Sequence, residues 1–539
     1  MPSPSLPRTR LVLWALLIPL TYAPLYLLTP QSFGWWWLPC SSTALATLAV
    51  ALLLRTQLMD RAAAALAPHA GRLLALAVVV YAGASTVAVH ARLLGFGESS
   101  DLGLFGQSCW TLLHGHPFSN SVETLDGSLG SHLGVHFSPT LLLLAPLYAA
   151  LPYPLTLVAA HALMVALAAV PLYRLLERDL GEAGALTLAL ALLAVPSFFW
   201  AGARGFRDVE LLPVLLLTMC WALEYRRHVV LAVAAIAALG VREEAGLVLV
   251  MLGVYAGLRA HGWRVALGLA AMGIAWVAAV IPLATPLFWS PGLWVDPSRR
   301  FASVLGQWGA TPFEAARAMA ANPAPLAQAL VNEPSARYLY GLLGSLLVVP
   351  PLLDPAWLPG LPAVAVNLLS RLGGMRDPAA HHSIVPATFF ALAAMLVVVR
   401  ASWHAPLARR SAFSLALGIV VLAGALPAIP LALRPPERPS PPAGPAREVL
   451  GIVPAGAAVY APLALYPALC NRESFACWES LKQGAYGWSM RGRYQYFVLW
   501  PEADPPEEPR DRPLADSLAS DPRFEPVAGH EPFLVFRRR

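Results

Sequence analysis

Glu98 and Asp101 stand three residues apart in the stretch Gly97-Glu98-Ser99-Ser100-Asp101-Leu102-Gly103-Leu104-Phe105, directly after an apolar run. A carboxylate at Asp101 has two readings. It takes the proton of a reacting hydroxyl as a general base, or it complements the dipole of a helix capped by Ser99 or Ser100, which lowers its proton affinity and makes it a poorer base. Leu102, Phe105, Cys109, Leu112 and Leu113 fall on one helical face, so the spacing predicts an interfacial amphipathic helix over 101–114. The membrane itself then holds Asp101 at a fixed depth.

A second concentration of charge is Val241-Arg242-Glu243-Glu244. The apolar run before it, 229–241, is short of the ~20 residues a crossing needs, which places Arg242, Glu243 and Glu244 below the outer surface. Each charge in hydrocarbon costs about 2.5–3.5 kcal/mol on insertion scales, so the triplet calls for a wet, paired cavity or for an ion pair that locks helix packing. A third group, Arg204, Arg207, Asp208 and Glu210 in "GARGFRDVELLP", offers a cation to a phosphate and a carboxylate to a metal or hydroxyl, or is solvated loop charge. His132, His136, His381 and His382 flank apolar runs. The adjacent rings of His381 and His382 do not share one helical face, which argues against a two-histidine metal site; one ring alone suits a phosphate hydrogen bond.

The elements that must position these residues are set by composition. Of 539 residues, 57% are hydrophobic and 13% charged, and the mean hydropathy is +0.59, values of a polytopic membrane protein. About thirteen candidate spans follow: 11–29, 35–54, 73–93, 154–174, 183–200, 209–225, 229–241, 245–259, 265–286, 337–352, 356–370, 384–400 and 411–432. The N-terminal run lacks a small-x-small cleavage site and is followed at once by a second span, which favours a retained helix over a signal peptide.

The net charge of +6 comes mainly from arginines in short loops. Placing Arg8, Arg55, Arg174, Arg226, Arg259 and Arg400 together in the cytoplasm works on one condition, that the run 139–152 lies along the outer interface and does not cross. The N-terminus is then cytoplasmic, and the loops 95–153, 201–208, 241–244, 287–336 and 371–383 face the exterior together with the tail. Residues 434–446 form a proline-rich linker. Beyond it, "AAVYAP" at 457–462, "YQYFVLW" at 494–500 and "FLVF" at 533–536 read as strands of a small exterior α/β domain over 447–539. Cys40, Cys109 and Cys220 read as packing residues, whereas Cys470 and Cys477 share a polar segment and can pair outside the cytoplasm. The sole lysine, Lys482, belongs to no Walker pattern, and neither a dinucleotide fingerprint nor a nucleophile elbow occurs. No nucleic-acid partner is expected.

The segments "DLGLFGQSCWTLLHG" (101–115), "HFSPTLLLLAPLYAALPYPLTL" (136–157), "VREEAGL" (241–247), "LLDPAWLPGLPAVAVNLLS" (352–370) and "HHSIVPATFF" (381–390) resemble an uncharacterised family of prokaryotic multi-pass membrane proteins that carries a domain-of-unknown-function label. That family is similar in layout to the C-type (GT-C) integral-membrane glycosyltransferases, which include the protein mannosyltransferases and the lipid A aminoarabinose transferase. The likeness covers 73–400, with 1–60 as a two-helix extension and 61–433 as the GT-C-like transmembrane domain. The chain departs from the pattern at Val135 and at Phe206-Arg207-Asp208.

The resemblance implies transfer of a sugar from a polyprenyl-phosphate carrier to an acceptor at the outer face of the cytoplasmic membrane. Asp101 is then the catalytic candidate. An inverting transfer needs a base for the acceptor hydroxyl and cations for the leaving phosphate. Glu98 is assigned as a metal or orienting partner, Arg242 or Arg204 as phosphate clamp, and Glu243 and Glu244 as groups that position the sugar or a divalent cation. Glu210, His136 and His382 join the substrate-binding set, the two histidines on the resemblance alone. The competing readings are a lipid or solute transporter or flippase, and a non-catalytic envelope assembly protein; the first predicts paired broken helices at the bilayer midplane.

Overall fold

Segments this poor in polar side chains leave backbone groups to satisfy one another, and a helix does so within one segment. The computed structural model describes residues 49, 57–97, 100–296, 299–346, 350–425, 440–478, 492–503 and 511–539, and helices dominate it. Among the described residues four helices are long and apolar enough to cross a membrane: α1 (Leu58–Leu94), α4 (Pro154–Ala194), α8 (Trp263–Phe288) and α10 (His381–Ser402). Shorter apolar helices are α3 (Pro139–Ala150), α6 (His228–Leu239), α7 (Ala245–Leu258) and α9 (Pro355–Leu369). Three more helices matter for the site: α2 (Ser100–Leu113), α5 (Leu212–Glu224) and α11 (Leu407–Ala425).

Several expected boundaries change. The span 11–29, all of 35–54 except residue 49, Glu98 and residues 434–439 of the linker lie outside the described residues, and the end of the expected linker opens the helix Ala443–Ile452. The helical path of α4 breaks at Gly181, φ 73° and ψ 165°, between the expected spans 154–174 and 183–200. The expected span 337–352 does not continue, because the helix Glu333–Leu343 gives way to a 3-10 turn at Gly344–Leu346. The helix α3 is too short to cross and keeps Leu143, Leu147 and Leu151 exposed on one edge.

The helices α7 and α8 approach through small residues. Gly246 and Gly253 face Gly273, Ala266 and Ala270, and a side chain at Gly253 would collide with the Ala266 carbonyl.

The strands β1 (Ser119–Asn120) and β2 (Gly130–Ser131) pair antiparallel, and beyond the bundle lies a five-stranded mixed sheet in the order β4-β3-β5-β7-β6. Its members are β3 (Val459–Tyr460), β4 (Phe475–Ala476), β5 (Tyr496–Leu499), β6 (Phe524–Val527) and β7 (Leu534–Arg538). The strands β3 and β5 fall within two of the three segments expected as strands, and β7 starts in the third and runs two residues beyond it. Val459, Val498 and Val535 pack on one face with Val449 and Tyr466, while Tyr460, Phe497 and Phe536 pack on the other with Leu514 and Leu518. Strand alternation thus buries the sheet on both sides.

The helix α2 differs from the one-sided interfacial helix expected of it. Leu102, Phe105 and Cys109 are buried as the spacing requires, but so are Gln107, Ser108 and Thr111 on the polar side. The reason is the sheet region. A Cβ at Gly103 would come within 2.6 Å of the Tyr466 ring, and one at Gly106 within 2.7 Å of Cys470 Sγ, so the two glycines let the region close onto α2. Gln107 Nε2 donates to the Arg472 carbonyl at 2.9 Å, and Ser121 bridges to Phe475, donating at 2.6 Å and accepting at 3.0 Å. Cys470 and Cys477 form no disulfide with each other; both are buried, and burial pushes the Cys470 thiol up to about 11.

Candidate functional site

The strap from Arg204 to Asp208 is the organiser. Arg207 has extended backbone, φ −140° and ψ 127°, so successive side chains alternate in direction. Phe206 is fully buried, 4.7 Å from the Phe105 ring and 5.6 Å from His161. With that ring wedged inward, Arg207 turns to α2, where its Nε lies 3.0 Å from Asp101 Oδ2. Asp208 turns to the α6–α7 loop, where Arg242 Nε lies 3.3 Å from its Oδ2.

Arg242 is held there by its own loop. Thr140 donates its backbone N–H to the Gly240 carbonyl at 2.8 Å and its hydroxyl to the Ala237 carbonyl at 2.9 Å, docking the end of α6 against the start of α3. A side chain at Gly240 would collide with Thr140. The docking places His136 between two charges. Its Nδ1 lies 3.0 Å from Glu243 Oε1, while its Nε2 faces the Arg242 guanidinium at 2.5 Å. The guanidinium reaches Nδ1 as well, Arg242 Nε donating to it at 3.3 Å. Glu243 also accepts the Phe137 N–H at 3.2 Å.

Four carboxylates converge on Arg242. Burial alone lowers its proton affinity, but Asp208, then Glu244, Glu243 and Asp101, outweigh burial and hold the guanidinium charged. Asp208, Arg242 and Glu243 are nearly closed to solvent, and Glu244 is exposed at the start of α7. The Asp101 side chain is 39% exposed and Arg207 16%, so these two form the open edge of the cluster. His381 and His382 lie at the start of α10 with ring centroids 3.9 Å apart, and His382 lies in the field of Arg242, Glu244, Asp208 and Arg207.

Asp101, His136, Arg242, Glu243, Glu244 and His382 are therefore brought together, though they come from four separate stretches of chain. Arg204 borders the group: its guanidinium stacks 4.4 Å over Trp200 and donates to the Ala379 carbonyl at 3.3 Å. Burial lowers its proton affinity, Asp377 opposes this, and Arg207 and Arg92 add to it. Glu210 is turned elsewhere, into a buried pair with His161 Nε2 at 2.9 Å. Among the described residues no group of three His, Cys, Asp or Glu side chains is placed to hold a metal ion.

Asp208 belongs to the centre of the cluster and Arg207 to its open edge, so the pair is not the solvated loop charge that was the alternative to a phosphate- or metal-facing role. A usable signal was the Phe-Arg-Asp triplet, one large apolar residue beside two opposite charges in a chain with few charges. Glu123 and Asn120 had no such signal. Glu123 accepts from Asn120 Nδ2 at 2.7 Å and pairs with His132 Nδ1 at 2.9 Å, all three buried. The His132 ring stands 5.7 Å from His136, directly behind the cluster. Burial lowers the His132 proton affinity, yet the Glu123 charge and hydrogen bond outweigh it and Asp208 adds to them, so the net shift is upward.

The family described as "Predicted membrane protein (DUF2079)" matches residues 96–529. No curated protein matches the chain. Among solved structures, the chain is similar to ArnT from Cupriavidus metallidurans bound to undecaprenyl phosphate, at 12% identity and a TM-score of 0.45 over 85% of this chain and 97% of that one.

Proposed function

The chain belongs to the DUF2079 family of predicted membrane proteins, and from that premise we propose that it is a membrane glycosyltransferase moving a sugar from a polyprenyl-phosphate carrier to an acceptor. The reaction takes place at the outer face of the cytoplasmic membrane, with the N-terminus inside and the sheet region, 447–539, outside as a small domain. One observation carries the reading: an accessible carboxylate, Asp101, stands 3.0 Å from Arg207 at the edge of a cluster whose second guanidinium, Arg242, is held by Asp208. The motif resemblance at 101–115, 136–157 and 241–247 agrees with it.

The chemistry balances on these residues. The acceptor hydroxyl oxygen bonds to the anomeric carbon, the bond from that carbon to the phosphate oxygen breaks, the proton goes to Asp101, and polyprenyl phosphate leaves. Arg207 is the cation nearest the open edge. In exchanging Asp101 for the incoming phosphate it frees the carboxylate to act as base. Arg242 is committed to Asp208 and His136, so its role is to set the field of the site, with Arg204 at the border as a second phosphate contact. Glu243, Glu244, His136 and His382 line the sugar side. Glu210 is assigned to packing with His161.

The test is a deletion strain complemented with the wild type or with Asp101→Asn, analysed for polyprenyl-linked sugars. Accumulation in the deletion and the variant, relieved by the wild type, supports transfer. Unchanged lipid-linked sugars in both would remove it.

A further inference from the structure

The helices α5 and α7 begin at the charged cluster and end at the opposite side of the bundle. At about 1.5 Å per residue, they carry the chain roughly 20 Å away, to Arg226 and Arg259. Each helix is closed by a residue in the left-handed region, Arg226 at φ 53° and Ala260 at φ 55°. The following amides turn back onto helix carbonyls, Arg227 N to Ala222 O at 2.8 Å and His261 N to Ala256 O at 3.0 Å. Between these two turns lies an open surface depression of about 430 Å³, lined by Glu224, Arg226, Leu258, Arg259, Ala260 and His261.

Its charge is unbalanced. Two guanidiniums, Arg226 and Arg259, face one carboxylate, Glu224, which lies 3.7 Å from His261. Among the described residues the side chains of Arg226 and Arg259 make no hydrogen bond or ion pair. Burial, opposed by Glu224 and reinforced by Arg259 and Arg226, holds the His261 proton affinity below its ordinary value, so both cations are felt inside the hollow.

The margin of the depression is apolar. Val254 and Leu258 on α7, and Trp263 and Leu267 on α8, are 45%, 63%, 68% and 60% exposed, each pair one helical turn apart. A basic helix end by itself complements the helix dipole, which explains the arginines but neither the hollow nor its apolar flank. A free anion needs only the cations. An anion tethered to acyl chains uses both surfaces.

We propose that this depression binds the phosphodiester head group of an anionic glycerophospholipid, Arg226 and Arg259 taking the phosphate and the acyl chains lying along Val254, Leu258, Trp263 and Leu267. The site is separate from the charged cluster at the other end of the same helices. Its occupant is a lipid of the leaflet at that end, and it does not depend on the transferase reading.

The test uses the full chain in neutral detergent, delipidated and followed by native mass spectrometry. Phosphatidylglycerol is expected to bind about tenfold to thirtyfold more tightly than phosphatidylcholine, and Arg226→Gln with Arg259→Gln to remove that preference. Glu224→Gln retains every cation and is expected to tighten phosphatidylglycerol binding, so it carries the test if the double variant does not fold. Equal binding of the two lipids, or a preference unmoved in the double variant, overturns the proposal. Displacement of phosphatidylglycerol by millimolar inorganic phosphate, with no dependence on acyl chains, identifies a free-phosphate site and overturns the lipid.

Discussion

Arg207 Nε and Asp101 Oδ2 meet at 3.0 Å across the open edge of the charged cluster, joining the first turn of one helix to an extended strap far along the chain. In the proposed transfer, the pair keeps the carboxylate occupied until the donor phosphate claims the arginine. Asp101→Asn keeps the shape and the hydrogen-bonding capacity but not the base. Transfer is expected to fall by about 10²–10⁴ with membrane insertion unchanged, read as sugar released from a labelled polyprenyl-phosphate donor. Full activity in that variant would exclude Asp101 as base.

Arg242→Gln leaves Asp208 and Glu243 buried beside a neutral group. Removing one partner of a buried ion pair costs about 3–5 kcal/mol, so the variant is expected to unfold at a clearly lower temperature in detergent. Thermal shift measurements check this, and a midpoint equal to the wild type contradicts the pairing. Charge alone is insufficient for full recovery by lysine, because the guanidinium contacts Asp208 and His136 with different nitrogens.

The Glu123–His132 pair makes stability depend on pH. The folded proton affinity of His132 is raised above its ordinary 6.5, so its contribution is fully present below about pH 6.5 and is lost as pH rises through the folded value. Glu123→Gln removes the leading cause of the upward shift. Melting temperature plotted against pH should lose this downward slope in the variant; an unchanged slope assigns it to another group.

Gly103→Ala and Gly106→Ala place a methyl against the Tyr466 ring and against Cys470 Sγ. Overpacking of this kind costs about 1–3 kcal/mol, and it should loosen the sheet region from α2. Hydrogen exchange over 463–478 is expected to quicken in both variants. Unaltered exchange would show that the contact yields without cost.

How much of this was legible can be followed residue by residue. The membrane class follows from composition and from apolar runs, and the odd placement of Arg242, Glu243 and Glu244 follows from the shortness of the run before them. Asp101 in the first turn of a helix is readable from Ser99, Ser100 and the spacing of Leu102 and Phe105. The apolar segments at 457–462, 494–500 and 533–536 overlap β3, β5 and β7. Burial of Gln107, Ser108 and Thr111 was not legible, because nothing local to α2 announces that Tyr466 and Arg472 will cover its polar side. The departure at Phe206-Arg207-Asp208 reads in sequence as a loss of pattern, yet in the structure it supplies both ion pairs of the cluster.

The sequence by itself determined that the chain is apolar, helical and sparing with charge, since hydropathy and helical period are properties of neighbouring residues. Only the tertiary structure decided which charges face one another: that Arg207 takes Asp101, that Asp208 takes Arg242, and that Glu210 turns away to His161. An ion pair depends on a few ångströms between side chains that can be a hundred residues apart, and that distance is set by how helices and loops pack, through contacts such as Phe206 on Phe105 and Thr140 on Gly240.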